Sequence, residues 1–166
     1  MKIFKLVFII LLGLITAFLL YPFLHELGHG LAAILMGEKI KEFALFPTPY
    51  IGYEMTEVKT CKIIIIGLSG MVFPVIFSLV IYSTNFWMWL IGLYLNVICL
   101  ISFVISIIAC VNHLRSTPII NEDVTQILDM TSGNAWIWIA FFILLTFLLI
   151  VQIIKSKPIT RCYELK

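Results

Sequence analysis

Apolar residues in this chain fall in long unbroken runs rather than at the 3.6-residue spacing of a surface helix or the alternation of a half-buried strand. Four runs stand out, at 5–36, 63–82, 86–111 and 135–154. Each is long enough to be read as a membrane-spanning helix. At 1.5 Å per residue the first would measure about 45–50 Å, against a hydrocarbon core of about 30 Å. It must therefore tilt, kink or leave the membrane, and Pro22 is the expected kink because it removes a backbone donor and crowds the preceding turn.

Between the first two runs the pattern changes. Segment 37–62, GEKIKEFALFPTPYIGYEMTEVKTCK, mixes charges, glycine and prolines with short alternating stretches. KIKEFALF and YIGYEMTEV read as two strands joined at the PTP turn. Ser83-Thr84-Asn85 makes a tight connection between the second and third runs. A polar segment, NHLRSTPIINEDVTQILDMTSGN, separates the third from the fourth, and VTQILDM within it is expected to form a short helix. The tail from Lys155 reads as soluble. The predicted architecture is an all-α polytopic membrane protein: about four transmembrane helices, with a small β-hairpin-like insertion between the first and second. Neither an internal repeat nor a low-complexity linker divides residues 1–166, so one domain is expected.

Composition agrees with this pattern. Of 166 residues, 62% are hydrophobic and only 12% charged, too few to coat a soluble domain of this size. The N-terminal run resembles a signal peptide, with Ala17 as a small residue before a cleavage site. Its apolar character continues past Ala17, so an uncleaved first span is the better reading. A net charge of +2 with scattered basic residues argues against nucleic-acid binding. The four cysteines form no CxxC pair, and Cys99 and Cys110, inside an apolar run, read as buried free thiols. Trp87, Trp89, Trp136 and Trp138 lie near span ends, where interfacial anchors are common. An even number of spans places both termini on one side. Lys2, Lys5, Lys155, Lys157, Arg161 and Lys166 lie there against Lys39, Lys41, Lys59, Lys62 and Arg115 opposite, and on that small excess both termini are expected in the cytoplasm.

Candidate chemistry enters in the first run, which contains HELGH at 25–29. Residues four apart on a helix differ by about 40° in azimuth, so His25 and His29 present their imidazoles to one point. Two imidazole nitrogens in that arrangement make half of a tetrahedral zinc site. Glu26 lies one step round the turn, in reach of a water on the metal rather than the metal itself, as a general base must be. A chance pentapeptide is the bland alternative. Ionisable groups inside an apolar helix are costly, however, and by default mark function. A catalytic zinc site needs a third protein ligand and an open position. His113, Glu122, Asp123 and Asp129 are the candidates, and spacing alone does not choose among them. Asn96, in the third run, reads as one partner of an interhelical hydrogen bond.

HELGHGLAAILMGEKI, near the end of an early span, resembles the zinc helix of the site-2 protease family of intramembrane metalloproteases. Members of that family carry a second motif near a later span, whose aspartate is the third zinc ligand. PIINEDVTQIL resembles that motif, with Pro118 five residues before Asp123 and Val124 standing where the family has glycine. GLSG at 67–70 resembles a further small-residue motif, with Met71 in place of the family's following proline. The resemblance covers roughly 21–128. It implies one Zn²⁺ held by His25, His29 and Asp123, with His113 and then Asp129 as the next candidates for the third position.

The function expected on this basis is hydrolysis of peptide bonds in or near transmembrane segments of other membrane proteins. Glu26 would be the general base, the substrate another transmembrane protein, and the setting the lipid bilayer. The hairpin-like segment is expected to accept a locally unwound substrate by strand addition. Two alternatives compete: a non-catalytic metal-binding scaffold or chaperone, and a small metal transporter. A transporter would need further polar residues deep in several spans. Apart from Asn96 and scattered serines the later runs lack them.

Overall fold

The computed structural model describes residues 2–44, 49–55, 59–81, 85–117, 123–131 and 134–156. The Pro47–Thr48 part of the predicted turn, Ser83–Thr84, Pro118, Glu122 and the tail from 157 lie outside the described residues. Four helices are long and apolar enough to cross a membrane: Ile3–Leu35, Thr60–Val80, Phe86–Leu114 and Ala135–Lys155. They match the four apolar runs to within a few residues at each end, and the chain is a multi-pass membrane protein.

The first span is continuous but not uniform. Helix α1, Lys2–Ile15, passes through one π-type turn at Thr16–Leu20 into α2, Tyr21–Leu35. The wide turn ends where Tyr21 N–H reaches back five residues to Thr16 O, immediately before Pro22. Pro22 cannot donate and sits in the first turn of α2, where its missing N–H matters least. The irregularity expected at Pro22 is thus taken up in the turn before it. Thr16, buried there, closes its hydroxyl onto Leu12 O at 2.8 Å. Helix α1 stands mostly outside the bundle, its apolar side chains exposed as a lipid-facing surface requires. It leans on the third span through Phe8 against Trp87 and a Tyr94 hydroxyl bond to Ile9 O.

The hairpin forms where alternation predicts it. Strands β1, Lys39–Ala44, and β2, Tyr50–Glu54, pair antiparallel. Ile40 lies opposite Tyr53 and Phe43 opposite Ile51, with an irregularity between Ile40 and Glu42 that leaves Lys41 as the extra residue. Gly37, at φ +81°, supplies the left-handed turn out of α2. Glu38 then turns inward, with its side chain fully buried, and pairs with Lys62 at the start of α3, Thr60–Val80. This ion pair ties both ends of the hairpin segment to the bundle.

The remaining helices are α4, Phe86–Leu114, the short α5, Asp123–Thr131, and α6, Ala135–Lys155. Asn85 and Asn134 cap α4 and α6 by accepting from backbone N–H groups. The main core draws Met71 from α3, Cys99, Phe103 and Cys110 from α4, Val124 and Leu128 from α5, and Phe142 from α6. Cys99 and Cys110 are buried in the core, as expected. Ser78 donates to Asn96 at 2.7 Å, which makes Asn96 the interhelical link it was read to be. One expectation fails: Trp89 is fully buried against Phe86 and is a core residue, not an interfacial anchor. Proximity to a span end says nothing about which way a helix face points.

Candidate metal centre

His25, Glu26 and His29 lie on α2, in the half of the first span that packs against α3. The two imidazoles are edge to face, with ring centroids 4.7 Å apart and Nε2 atoms 3.2 Å apart. Small residues let the helices approach this closely. A Cβ on Gly28 would strike the backbone of Ser69, and a Cβ on Gly70 would strike the His29 ring. The second of these is a function for GLSG that its composition alone does not reveal: the α3 backbone forms a wall against which His29 rests.

His29 is held from behind as well. Its Nδ1 lies 2.7 Å from Ile66 O, a buried carbonyl that can only accept, so Nδ1 carries the hydrogen. In the neutral imidazole this leaves the Nε2 lone pair aimed into the site. Ligating histidines are oriented in just this way.

Asp123 opens α5, and its carboxylate reaches the same point. Asp123 Oδ2 lies 3.0 Å from His25 Nε2 and 3.4 Å from His29 Nε2. The three donor atoms therefore form a triangle with edges of 3.0, 3.2 and 3.4 Å. Ligands at 2.0–2.1 Å in tetrahedral array are separated by about 3.3 Å, so the donor set fits one face of a zinc tetrahedron. Two imidazoles and a carboxylate are also the right chemical class for that ion. Electrostatics agree, since three converging lone pairs need positive charge between them. With no ion between them, an imidazole that takes up a proton at Nε2 can donate to Asp123. Burial raises the carboxyl pKa, but hydrogen bonds from His25 and His29 in that protonated form outweigh it and hold the group below the usual carboxylate range.

The other candidate ligands lie elsewhere. His113 is in the last turn of α4, not in a loop, and its Nδ1 lies 3.5 Å from Asp129 Oδ1 on α5. The second and third choices for the ligand thus pair with each other. Among the described residues, His25, His29 and Asp123 form the group able to hold a metal ion. Val124, where the Asp123 motif has glycine, and Met71, where the GLSG motif has proline, are both buried in the main core cluster. Both departures are accommodated as packing.

A cleft of about 240 Å³ opens beside the triangle. It is lined by Glu26 and His29 from α2, Ile63 and Gly67 from α3, Asp123 and Ile127 from α5, and Tyr50, Ile51, Tyr53 and Met55 from β2 and its end. Alternation along YIGYEM puts Ile51, Tyr53 and Met55 on one face, and Ile51 lies over Gly30 of α2, so this face looks inward. Tyr53 was not singled out from the sequence. Burial first, then the negative charges of Asp123 and Glu38, push its phenol pKa up, so the hydroxyl keeps its proton at neutral pH.

No protein-family model, curated protein or solved structure matches this chain.

Proposed function

We propose that this protein is a zinc-dependent endopeptidase of the site-2 protease type, acting on transmembrane segments of other proteins. The observation that carries the reading is the triangle of His25, His29 and Asp123 beside a cleft that Glu26 also lines. It joins a metal-binding donor set to a general base and to space for a peptide. A zinc ion held there would supply the acidity that makes a water nucleophilic near neutral pH, and would polarise a carbonyl oxygen.

The chain's own residues do the rest. Glu26 takes a proton from the attacking water as that oxygen bonds to the scissile carbonyl carbon. It then delivers the proton to the amine nitrogen as the C–N bond breaks. Ile66 O, through His29 Nδ1, keeps the imidazole turned into the site. The inward face of β2 bounds the cleft and is placed to hold an unwound segment extended. The slight excess of basic residues on the terminal side supports cytoplasmic termini.

The test is metal analysis of the purified full-length chain, paired with cleavage of a generic transmembrane substrate. About one zinc per chain is expected, with cleavage abolished by a chelator and restored by zinc. Bound zinc without any cleavage would favour the scaffold reading. Zinc flux across vesicles would favour a transporter.

A further inference from the structure

The cleft contains two carboxylates, Glu26 and Asp123, and a peptide carbonyl attacked there would gather negative charge beside both. Ionised carboxylates only accept hydrogen bonds, so an oxyanion in this cleft would gain from a hydrogen-bond donor in the lining, beyond what a metal ion would supply. His29 is already committed, with Nδ1 on Ile66 O and Nε2 in the triangle. Tyr50 is engaged with Glu42 on the neighbouring strand. Gln126 is exposed at the rim of α5. Tyr53 differs from all of these. It lines the same cleft from β2, is half-buried, and packs against Ala32, Ala33 and Ile66, the residues that join α2 to α3. Its cross-strand partner is Ile40, and the hairpin that carries it is anchored by the Glu38–Lys62 pair. The phenol is therefore supplied by a fixed element, as a preorganised donor must be.

We infer that Tyr53 is a second catalytic residue, whose hydroxyl donates a hydrogen bond to the scissile carbonyl oxygen as the tetrahedral centre forms. The inference rests on the peptidase reading and gives the hairpin a part in the chemistry, beyond bounding the cleft. No covalent bond to Tyr53 forms or breaks. The hydroxyl keeps its proton throughout, and its effect is confined to the transition state.

Tyr53→Phe removes the donor and keeps the ring that packs against this cluster. The zinc-loaded, full-length chain is assayed on a transmembrane substrate, with kcat, KM and zinc content measured on the same preparation. A kcat lower by roughly 10²–10³-fold is expected, the cost typical of one oxyanion donor. KM should stay within about twofold and zinc content should not change. A purely structural role would move KM or zinc content along with kcat, and that result overturns the inference. Parent-like turnover by Tyr53→Phe, in a preparation whose Glu26→Gln counterpart is inactive, also overturns it while leaving the peptidase reading intact. A parent chain that binds zinc but never cleaves overturns both.

Discussion

Gly70 on α3 lies against the imidazole of His29 on α2, with no room between them for a methyl group. The geometry of the candidate metal site therefore depends on a residue that offers no ligand. Gly70→Ala should raise helix propensity by about 1 kcal/mol yet displace the ring from the triangle. We expect zinc affinity to fall by roughly 10–100-fold, as when the support of a ligand is lost, with helicity by circular dichroism unchanged. Gly67→Ala is the contrasting case. Its Cβ would meet Cδ1 and Cγ1 of Ile127, at 2.7 and 2.8 Å, an apolar side chain and not a candidate ligand, so its cost should fall on packing rather than on zinc. Zinc titration of the two variants side by side checks the difference, and equal affinities would remove Gly70 from the account.

Asp123 should be indispensable to the metal and His113 should not. Asp123→Ala removes the carboxylate 3.0 Å from His25 Nε2, and zinc affinity should drop by more than roughly 100-fold, beyond the usual cost of losing a supporting contact. His113→Ala breaks only the pairing with Asp129 and should leave zinc content unchanged. The reverse ranking would mean that α5 sits differently in the metal-bound protein.

The Glu38–Lys62 pair should hold the hairpin to the bundle. Glu38 has no side-chain exposure and Lys62 has 16%, so Glu38→Ala strands a mostly buried cation. Removing one member of such a pair costs roughly 3–5 kcal/mol, whereas replacing both by apolar residues is often neutral. Thermal unfolding in detergent should thus show a large loss for Glu38→Ala and near-recovery for the double change Glu38→Leu, Lys62→Met. A double variant as unstable as the single one would show that the charges themselves are required.

Which parts of this were legible in the sequence follows from how local each feature is. The spans, the hairpin and the helix after Asp123 are written in runs and alternations of neighbouring residues, and they appear within a few residues of where those patterns place them. HELGH is equally local, since one helical turn brings His25 and His29 together. The third candidate ligand is not local. Spacing leaves four candidates, and only resemblance to a known motif singles out Asp123; in the fold it is the start of α5 that meets α2. The π-type turn at Thr16–Leu20 has no side-chain signature beyond the nearby Pro22. Burial of Trp89, the hold of Ile66 O on His29 and the pairing of Glu38 with Lys62 all depend on how separate segments pack. Tyr53 was visible only as one member of an alternating stretch.

The central claim is that Glu26 moves the proton for a metal held by its neighbours, and Glu26→Gln separates those two roles. Glutamine keeps the volume and hydrogen-bonding capacity of the side chain but cannot accept the proton. Zinc content and turnover of a transmembrane substrate should be measured on one preparation each of the parent and the variant. The account predicts equal zinc in both and hydrolysis lower by about 10²–10⁴-fold in Glu26→Gln. Cleavage near the parent rate by a fully zinc-loaded Glu26→Gln protein would contradict it.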